Sequence, residues 1–235
     1  MTAPSPVSSR RDDTLTRERI VDTAIALLDA GGESGLTFRA LAARLATGAG
    51  ALYWHVANKH DLLVAASDAV VACALQASEQ PSARPGAPRS APREAIRALA
   101  LALFDALDRH PWVGTALIRS AGQLPLVRIL ERLGQPLVAL GVPDDARWPA
   151  VSALLHYILG VGGQNAANAQ LARTHDADRP TFLAALADRW LELDPAAFPF
   201  TRSVAASMRA HDDRADFLAG VDLILDGLAA TAARR

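Results

Sequence analysis

The sequence contains almost none of the residues that bind metals through sulfur or cross-link small secreted proteins. Its 235 residues include a single cysteine, Cys73, which excludes an internal disulfide and a cysteine-based zinc site. The six histidines are scattered without the spacing of metal ligands, so no metal and no other cofactor is predicted. This cysteine content suits the reducing environment of the cytoplasm.

Long apolar segments are also lacking. No uninterrupted apolar run approaches the roughly 20 residues that cross a bilayer. The opening residues, MTAPSPVSSR, do not contain the apolar core of a signal peptide. We therefore expect a cytoplasmic protein without a membrane partner.

An excess of positive charge is absent as well. The formal charge of −1 at pH 7 excludes a globally basic protein, so any contact with nucleic acid must come from a local patch. Lys59 is the only lysine, and arginine supplies every other fixed positive side chain. Apolar residues are plentiful, at 51% of the chain against 21% charged residues, which is enough to bury a core.

Apolar residues recur with a helical period along nearly the whole chain, and no segment alternates as a β-strand does. The pattern therefore predicts an all-α protein. Glycine, proline and capping residues mark the ends of the helices, and the predicted N-caps include Thr16, Thr37 and Asn58. We expect helices at 16–30, 38–45, around 51–55, from 58 onward, 93–109, 112–120, 126–140, 144–173 and 212–232, with a less regular section around Pro180, Pro195 and Pro199.

One cationic stretch carries the clearest functional signal. Two short predicted helices are joined by a turn containing Gly48, and a third helix precedes them to bury their apolar sides. Residues 34–60 contain three fixed cations, Arg39, Arg44 and Lys59, and no acid. This is the layout of a helix-turn-helix, whose second helix enters the major groove of DNA.

The same stretch resembles a known family. Residues 52–59 read LYWHVANK and resemble the end of the recognition helix and the start of helix four in the tetracycline-repressor (TetR) family of bacterial transcription regulators. Residues 16–21 (TRERIV) and 36–42 (LTFRALA) resemble that family's first two helices. Residues 109–112 and 154–163 are similar to one C-terminal subtype of the family.

The resemblance implies a three-helix helix-turn-helix module followed by a larger helical domain for ligand binding and dimerisation. Segment 78–92, with four prolines and no large apolar residue, is predicted to be an extended connector within the larger domain. The predicted domains are a flexible N-terminal arm at 1–14, the DNA-binding domain at 15–60 and the ligand-binding and dimerisation domain at 61–235.

The resemblance also implies a set of DNA-binding residues. Thr37 lies where the family's second helix points its N-terminus at a phosphate, which free amides suit. Arg39 is the candidate for a bidentate contact to guanine, and Lys59 matches a phosphate clamp. Tyr53 and His55 match positions that bind phosphate or nearby bases. The full predicted set is Thr37, Phe38, Arg39, Gly48, Ala49, Gly50, Ala51, Tyr53, Trp54, His55 and Lys59.

Residues 48–51 depart from the family pattern. They read Gly-Ala-Gly-Ala and carry no side chain able to hydrogen-bond a base edge, so Arg39 and DNA shape are expected to provide more of the specificity. Trp54 is expected to wedge the recognition helix onto the core of the module. Arg10 and Arg11 could enter a narrow minor groove, although terminal arginines are more often disordered.

Reading a palindrome requires two recognition helices about 34–36 Å apart, so we predict a two-fold homodimer. The late helices at 144–173 and 212–232 combine small residues with apolar ones, and the resemblance implies a four-helix interface. The predicted interface residues are Ala153, Leu154, Gly160, Gly163, Ala219, Val221, Leu225 and Leu228. The alternative is that these faces pack only within one chain.

Helices between 93 and 173 are expected to enclose an apolar cavity for a small-molecule effector of unknown identity. Polar groups on an otherwise apolar helix can orient such a ligand. The predicted lining is Phe104, Trp112, Leu117, Leu130, His156, Tyr157, Gln164, Asn165 and Asn168. Ordinary hydrogen bonds in the core or at an interface explain the polar members equally well.

These observations favour a ligand-responsive transcriptional regulator and not an enzyme. The resemblance implies a repressor that is released from a palindromic operator. One alternative is an all-helical, magnesium-dependent isoprenoid-type enzyme that uses Asp212, Asp213 and Asp216, which match a D-D-x-x-D pattern. Another is a helical dimer that does not bind DNA, since residues 48–51 lack base-reading side chains.

Overall fold

A computed structural model describes residues 15–79, 91–120, 122–174 and 178–232. The predicted arm at 1–14 and most of the predicted connector at 78–92 lie outside these ranges. Every regular element within them is a helix, which confirms the all-α prediction. The helices are α1 (Arg17–Gly35), α2 (Phe38–Arg44), α3 (Ala49–Leu52), α4 (Lys59–Glu79), α5 (Pro92–Arg109), α6 (Trp112–Arg119), α7 (Leu124–Ala139), α8 (Asp144–Thr174), α9 (Arg179–Leu191), α10 (Pro199–Arg209) and α11 (Asp213–Ala232).

The chain divides into two compact units, the first ending at Ala69 and the second beginning at Val70. Helix α4 starts in the first unit and continues into the second. The sequence predicted a domain boundary at residue 60, within the first turn of α4. The first compact unit extends to Ala69, and Leu62, Leu63 and Ala66 of α4 are buried.

The core of the first unit is made of aliphatic side chains from four helices. Ile20 and Leu28 of α1, Leu41 of α2, Leu52 of α3 and Leu62 of α4 are all almost fully buried. Burying one such side chain stabilises the fold by roughly 1.5–3 kcal/mol. This core holds α2 and α3 in place and leaves their polar sides to solvent.

Three helix caps predicted from the sequence are present. The amide of Arg19 donates to Thr16 Oγ1 at 3.2 Å, and the amide of Ala40 donates to Thr37 Oγ1 at 3.1 Å. The amide of Asp61 donates to Asn58 Oδ1 at 2.9 Å. Each bond satisfies a backbone donor that the first turn of a helix leaves without a partner, so the local sequence sets where these helices begin.

Helix α1 and the section expected to be irregular differ from the prediction. The break expected near residue 31 does occur, because Gly32 has φ 61° and ψ −163°, a conformation open essentially only to glycine. The chain nevertheless makes another turn, so α1 reaches Gly35. The section expected to be irregular contains α9 and α10, because Pro180 and Pro199 lie in the first turn of each, where a missing N–H costs no hydrogen bond.

The second unit is built around α5 and α8. Helix α5 packs against α7, α8 and α11, while α9 packs mainly against α10. Phe217 of α11 stacks on Phe104 of α5, with ring centroids 4.6 Å apart, and on Tyr157 of α8 at 5.6 Å. Three helices therefore meet in one aromatic cluster at the centre of the unit.

Ion pairs reinforce the contact between α5 and α11. Arg93 contacts Asp222 at 3.0 Å and Asp226 at 2.6 Å, and Arg97 also pairs with Asp222. The two guanidinium groups hold the pKa of the Asp222 carboxyl below its usual range, mainly through the hydrogen bond from Arg97. The carboxylate is therefore charged at neutral pH.

One described helix, α4, is long and apolar enough to cross a membrane by length and composition alone. A core helix of a soluble protein passes the same test. Leu62, Leu63, Ala66, Val70 and Val71 of α4 are buried against the rest of the protein, as a core helix requires.

Candidate nucleic-acid interface

Helices α2 and α3 are joined by a tight turn at residues 45–48. Ala46 has φ 51°, a left-handed conformation that is uncommon for alanine. The amide of Thr47 donates to the carbonyl of Ala42 at 3.0 Å, which closes the turn against the end of α2. Backbone hydrogen bonds thus hold the turn between two short helices, as a helix-turn-helix requires.

An aromatic contact links α2 to the residue that follows α3. The rings of Phe38 and Tyr53 are stacked nearly parallel, with centroids 4.6 Å apart and 6° between their planes. The sequence placed both residues in the DNA-binding set but did not predict that they touch. Their contact fixes the direction of the Tyr53 side chain, which is more than half exposed.

The predicted DNA-binding residues mostly present their side chains to solvent. Arg39 is exposed on the first turn of α2, next to the capping residue Thr37, and His55 is partly buried. The exposed members of the predicted set are Thr37, Arg39, Gly48, Ala49, Gly50, Tyr53 and Trp54. A cationic, solvent-facing surface is what a phosphate backbone can approach.

The prediction that Trp54 wedges the recognition helix onto the core is wrong. Its side chain is 90% exposed, and the flanking residues Leu52 and Val56 are buried in its place. Helix α3 ends at Leu52, so Trp54 lies in the following turn and points away from the core. A large apolar side chain in that position is free to contact a partner.

Helix α3 begins and ends earlier in the chain than the predicted range around 51–55. It covers four residues, Ala49–Leu52, and its N-cap Gly48 provides no side-chain hydrogen bond. Two glycines in and before a short helix disfavour helical backbone by about 1 kcal/mol each relative to alanine. The chain continues as a turn, with the amides of His55 and Val56 donating to the carbonyl of Leu52.

Lys59 is the predicted phosphate clamp, and the structure gives it a protein partner. Its Nζ donates to the backbone carbonyl of Glu33, at the end of α1, over 2.6 Å. The lysine is only partly exposed. The sequence offered no signal for this contact, because the two residues are 26 positions apart.

One acid lies close to this surface. A backbone hydrogen bond and a second one with Thr16 lower the pKa of Glu18, and nearby Arg17 and His55 lower it further to a smaller extent. Glu18 is therefore an exposed carboxylate at the start of α1. Its charge is favourable there for the helix dipole.

One of the predicted ligand-binding residues lines a described cleft, and the others are divided between the core and the surface. Leu130 lines a surface cleft of about 420 Å³ between α7 and α8, together with Trp148 and Val151. None of the other eight lines that cleft or a smaller one of about 60 Å³ beside Arg93. Phe104, Trp112 and Leu117 are core residues, whereas His156, Gln164 and Asn168 are exposed, and Tyr157 and Asn165 are partly buried.

Two polar members of that set have partners within the chain. The Tyr157 hydroxyl donates to the carbonyl of Phe217 at 3.1 Å, and burial raises the pKa of this phenol. Asn165 Nδ2 donates to Asp108 Oδ1 at 3.1 Å. These are the ordinary hydrogen bonds that the sequence left open as the alternative explanation.

Part of the predicted dimer interface belongs to the core of the single chain. Leu154, Val221 and Leu225 are 3% exposed or less, so they have almost no surface left for a second chain. The predicted set combines residues from the buried and the exposed stripes of α8 and α11, because both stripes are rich in small and apolar residues. The exposed or partly exposed members are Ala153, Gly160, Gly163, Ala219 and Leu228.

Leu223 is a surface residue that the sequence analysis missed. It is 73% exposed on α11, four residues after Ala219 and four before Gly227, on the solvent side of the helix. The four-residue spacing from Ala219 was the available signal. Gly220 has a different role, since a Cβ there would collide with the Tyr157 ring.

The aspartates of the D-D-x-x-D pattern have structural partners. Asp212 Oδ1 accepts from the amides of Arg214 and Ala215 and so caps α11. Asp213 pairs with Arg179, and His211 contacts Asp213 at 3.0 Å and Asp216 at 2.5 Å. Over the described ranges, no group of three or more acids, histidines or cysteines is arranged to hold a metal.

Comparison with protein families gives matches along most of the chain. Residues 20–66 match the family described as bacterial regulatory proteins, tetR family. Residues 85–232 match the family described as tetracyclin repressor-like, C-terminal domain. The first match contains α2, α3 and the start of α4.

Individual proteins agree with the family matches. The HTH-type transcriptional repressor DrrR1 of Streptomyces coeruleorubidus is 31% identical over 94% of this chain and 80% of its own. The structure of the transcriptional regulator SCO7222, a TetR from Streptomyces coelicolor, is similar with a TM-score of 0.81 and 50% identity, over 92% of this chain and 99% of that one. ActR of Streptomyces coelicolor, solved in complex with actinorhodin, is similar with a TM-score of 0.70 and 25% identity. The match covers 93% of this chain and 99% of that one.

Proposed function

Since the chain belongs to the TetR family of bacterial regulatory proteins and is a helix-turn-helix transcriptional regulator, we propose that it acts as a repressor. It binds a palindromic operator as a homodimer and leaves the operator when a small molecule binds its second unit. The observation that carries this proposal is the exposed cationic surface of α2, α3 and the turns around them.

Four polar residues of this surface are proposed to contact DNA. Arg39 reads guanine, because an arginine fork bonds O6 and N7 together in the major groove. Thr37 binds a phosphate at the N-terminus of α2. Tyr53 and His55 contact the backbone, with Tyr53 aimed by its stack on Phe38.

The residues at 48–51 lack polar side chains, which permits a close approach of the backbone to DNA. Gly48 and Gly50 have no neighbouring atom within 4 Å of an added Cβ, so neither glycine is required by packing inside the protein. Ala49 and Ala51 can touch a thymine methyl group. Arg39 and DNA shape then carry most of the sequence preference.

Two copies are needed to place two such surfaces in successive major grooves. The faces of α8 and α11 left uncovered by the single chain supply the proposed interface, with Ala153, Gly160, Ala219 and Leu223 at its centre. Small side chains allow helices to approach closely, and Leu223 supplies apolar area.

The effector is proposed to be a small molecule bound by the second unit, as actinorhodin is bound by ActR. Release from DNA requires that the effector prefer a conformation whose recognition helices are misplaced for DNA. A difference of a few kcal/mol in binding free energy between the two conformations is enough. The relatives are transcriptional regulators. We propose that this chain, like a regulator of that kind, is a cytoplasmic protein without catalytic activity.

Selection of genomic fragments by the purified protein tests the proposal. Fragments retained at low salt should converge on one palindrome, and affinity should fall steeply with salt, by about 0.9 log unit per log unit for each phosphate contacted. Failure to enrich any sequence at low salt would exclude the repressor. The selected operator then allows a screen of metabolites and drugs for release.

A further inference from the structure

We propose that the surface cleft between α7 and α8 is a binding site for a planar aromatic cation. Trp148 of α8 forms its aromatic wall, Glu131 of α7 supplies negative charge, and Gly134 leaves its floor open. The cleft has a volume of about 420 Å³, within the range of about 300–1,000 Å³ that small-molecule sites occupy. Such a site goes beyond the proposed function, because its ligand binds whether or not the chain binds an operator.

The floor of the cleft is apolar and belongs to the packed part of the second unit. Leu137 of α7 and Val151 of α8 line it and are buried, and Leu130 is partly buried. Leu130, Gly134 and Leu137 are spaced three or four residues apart, so they lie on one face of α7. A floor held by buried side chains exists before a ligand arrives, as is usual for small-molecule sites.

Gly134 is not required by the packing of the chain. It lies inside α7, where glycine disfavours a helix by about 1 kcal/mol relative to alanine. Its φ is not positive, and an added Cβ would meet no atom within 4 Å. Neither the backbone nor the core therefore needs a glycine here. Because the residue lines the cleft, its effect is to keep the floor open.

Trp148 presents a large aromatic surface to solvent at the edge of the cleft. It is 67% exposed, although Val151, one turn later in α8, is buried. An indole ring stacks on planar ligands, and among the aromatic side chains it attracts cations most strongly through its π face. An exposed aromatic residue beside an apolar floor is typical of a surface that contacts a ligand.

The polar groups that line the cleft favour a cation. They include two carboxylates, Glu131 and Asp144, and one guanidinium, that of Arg147. Arg147 is already engaged, since its Nη2 lies 2.7 Å from Asp144 Oδ1 and its Nε donates to the carbonyl of Val142 at 3.2 Å. Glu131 accepts a hydrogen bond from Gln135 Nε2 at 2.8 Å, and a carboxylate can accept several. A positively charged ligand therefore meets a carboxylate that can still bind it.

Titration of the purified protein without DNA tests the site, with two probes of similar shape and opposite charge. Proflavine is a planar three-ring cation at neutral pH, and an acridine carboxylate is an anion with the same ring system. We expect one proflavine to bind per chain, about fivefold or more tighter than the anion, since Trp148 and Glu131 both favour positive charge. Isothermal titration calorimetry measures the stoichiometry and both dissociation constants. Absence of saturable proflavine binding, or equal binding of the anion, would overturn the proposal.

A variant of the floor decides whether proflavine occupies this cleft. Gly134→Leu should weaken proflavine binding roughly tenfold or more, because the leucine side chain fills the floor. The chain should still fold, since an added Cβ at this position meets no other atom. Gly31→Leu is the matched control, an exposed glycine of α1 with equally open surroundings, and should bind proflavine normally. Unchanged binding in Gly134→Leu would place the probe elsewhere and overturn the proposal.

Variants of the wall and of the charge test the class of ligand. Trp148→Ala and Glu131→Gln should each weaken proflavine binding about three- to tenfold, through loss of stacking and of a charge partner. Phe200→Ala is the control for the tryptophan, because this phenylalanine of α10 is exposed and lies outside the cleft. Binding that is insensitive to both Trp148→Ala and Glu131→Gln would contradict the proposed chemistry.

A second copy of the chain is the other occupant that the cleft could take. Trp148 lies on a different face of α8 from Ala153 and Gly160, so the proposed dimer interface does not require it. We therefore expect Trp148→Ala and Gly134→Leu to leave the dissociation constant of the dimer unchanged, as measured by sedimentation without the probe. A clear loss of dimer in both variants would assign the cleft to the partner chain and overturn the proposal.

Discussion

The two units of the molecule differ in how their proposed functional residues lie along the chain. In the first unit, all the proposed DNA contacts fall within residues 37–59, and the structure places most of them on the surface. In the second unit, nine proposed ligand contacts are spread over 104–168, and only Leu130 lines a described cleft. A site built from one short segment follows from local geometry. A site built from several helices depends on the rotation of each one, where a shift of one residue turns a side chain by about 100°.

The largest effect in the first unit is expected for Arg39→Ala. Loss of a bidentate base contact costs about 1–3 kcal/mol, and a dimer loses two of them, so operator affinity should fall at least tenfold. Arg44→Ala is the matched control, an exposed arginine at the other end of α2 that should change affinity much less. Competition between operator and random DNA measures the result, and an unchanged sequence preference would remove Arg39 from its proposed role.

In the second unit, the largest effect is expected for Gly220→Ala. A Cβ at this position meets the Tyr157 ring, which is held by its hydrogen bond to Phe217. Overpacking of this kind costs about 1–3 kcal/mol in the free energy of unfolding. Gly227→Ala is the control on the same helix, because nothing lies within 4 Å of its added Cβ. Equal stability of the two variants in urea unfolding would contradict this account of Gly220.

The outer surface of the second unit can be tested with Leu223→Glu. If the uncovered face of α11 forms the dimer interface, two buried carboxylates should weaken dimerisation at least tenfold, because an unpaired charge is costly to bury. Leu191→Glu, an exposed leucine of α9, serves as the control. Sedimentation over a range of concentrations measures the dissociation constant. A dimer as stable as the parent would place the interface elsewhere.

A smaller effect, dependent on pH, is expected from the ion pairs of α5 and α11. Because the folded pKa of Asp222 is lowered, its stabilisation is present above its unfolded pKa of about 4 and is lost as pH falls through the lower folded pKa. Asp222→Asn should therefore lower stability at pH 7 by about 1 kcal/mol, discounted for partial exposure. The difference from the parent should shrink in acid, whereas a constant difference would point to altered packing.

The smallest effect on stability is expected for Trp54→Ala. Since its side chain is 90% exposed, the free energy of unfolding should change by about 0.5 kcal/mol or less. Leu52→Ala, two residues earlier and fully buried, should cost about 2–5 kcal/mol. A large loss for Trp54→Ala would restore the core position that the sequence predicted. Any loss of operator affinity without loss of stability would assign Trp54 to the DNA contact.

Sequence reasoning succeeded where the signal joins near neighbours. The caps of Thr16, Thr37 and Asn58 each link a side chain to an amide three residues later. It succeeded less well where two helix stripes look alike. Leu154 and Val221 are interior residues and Ala153 is at the surface, yet both stripes contain small and apolar residues. Hydrophobicity therefore gave no basis for choosing between the two stripes.

The sequence by itself determined the helical class, the starts of several helices and the cationic helix-turn-helix, because periodicity and capping act over four residues or fewer. Only the tertiary structure decided which stripe of α8 and α11 is buried. It also decided that Trp54 faces solvent and that Lys59 binds Glu33. That bond joins residues 26 positions apart, and the bond from Tyr157 to Phe217 joins residues 60 apart. Such contacts depend on how whole helices pack, which no local pattern of residues specifies.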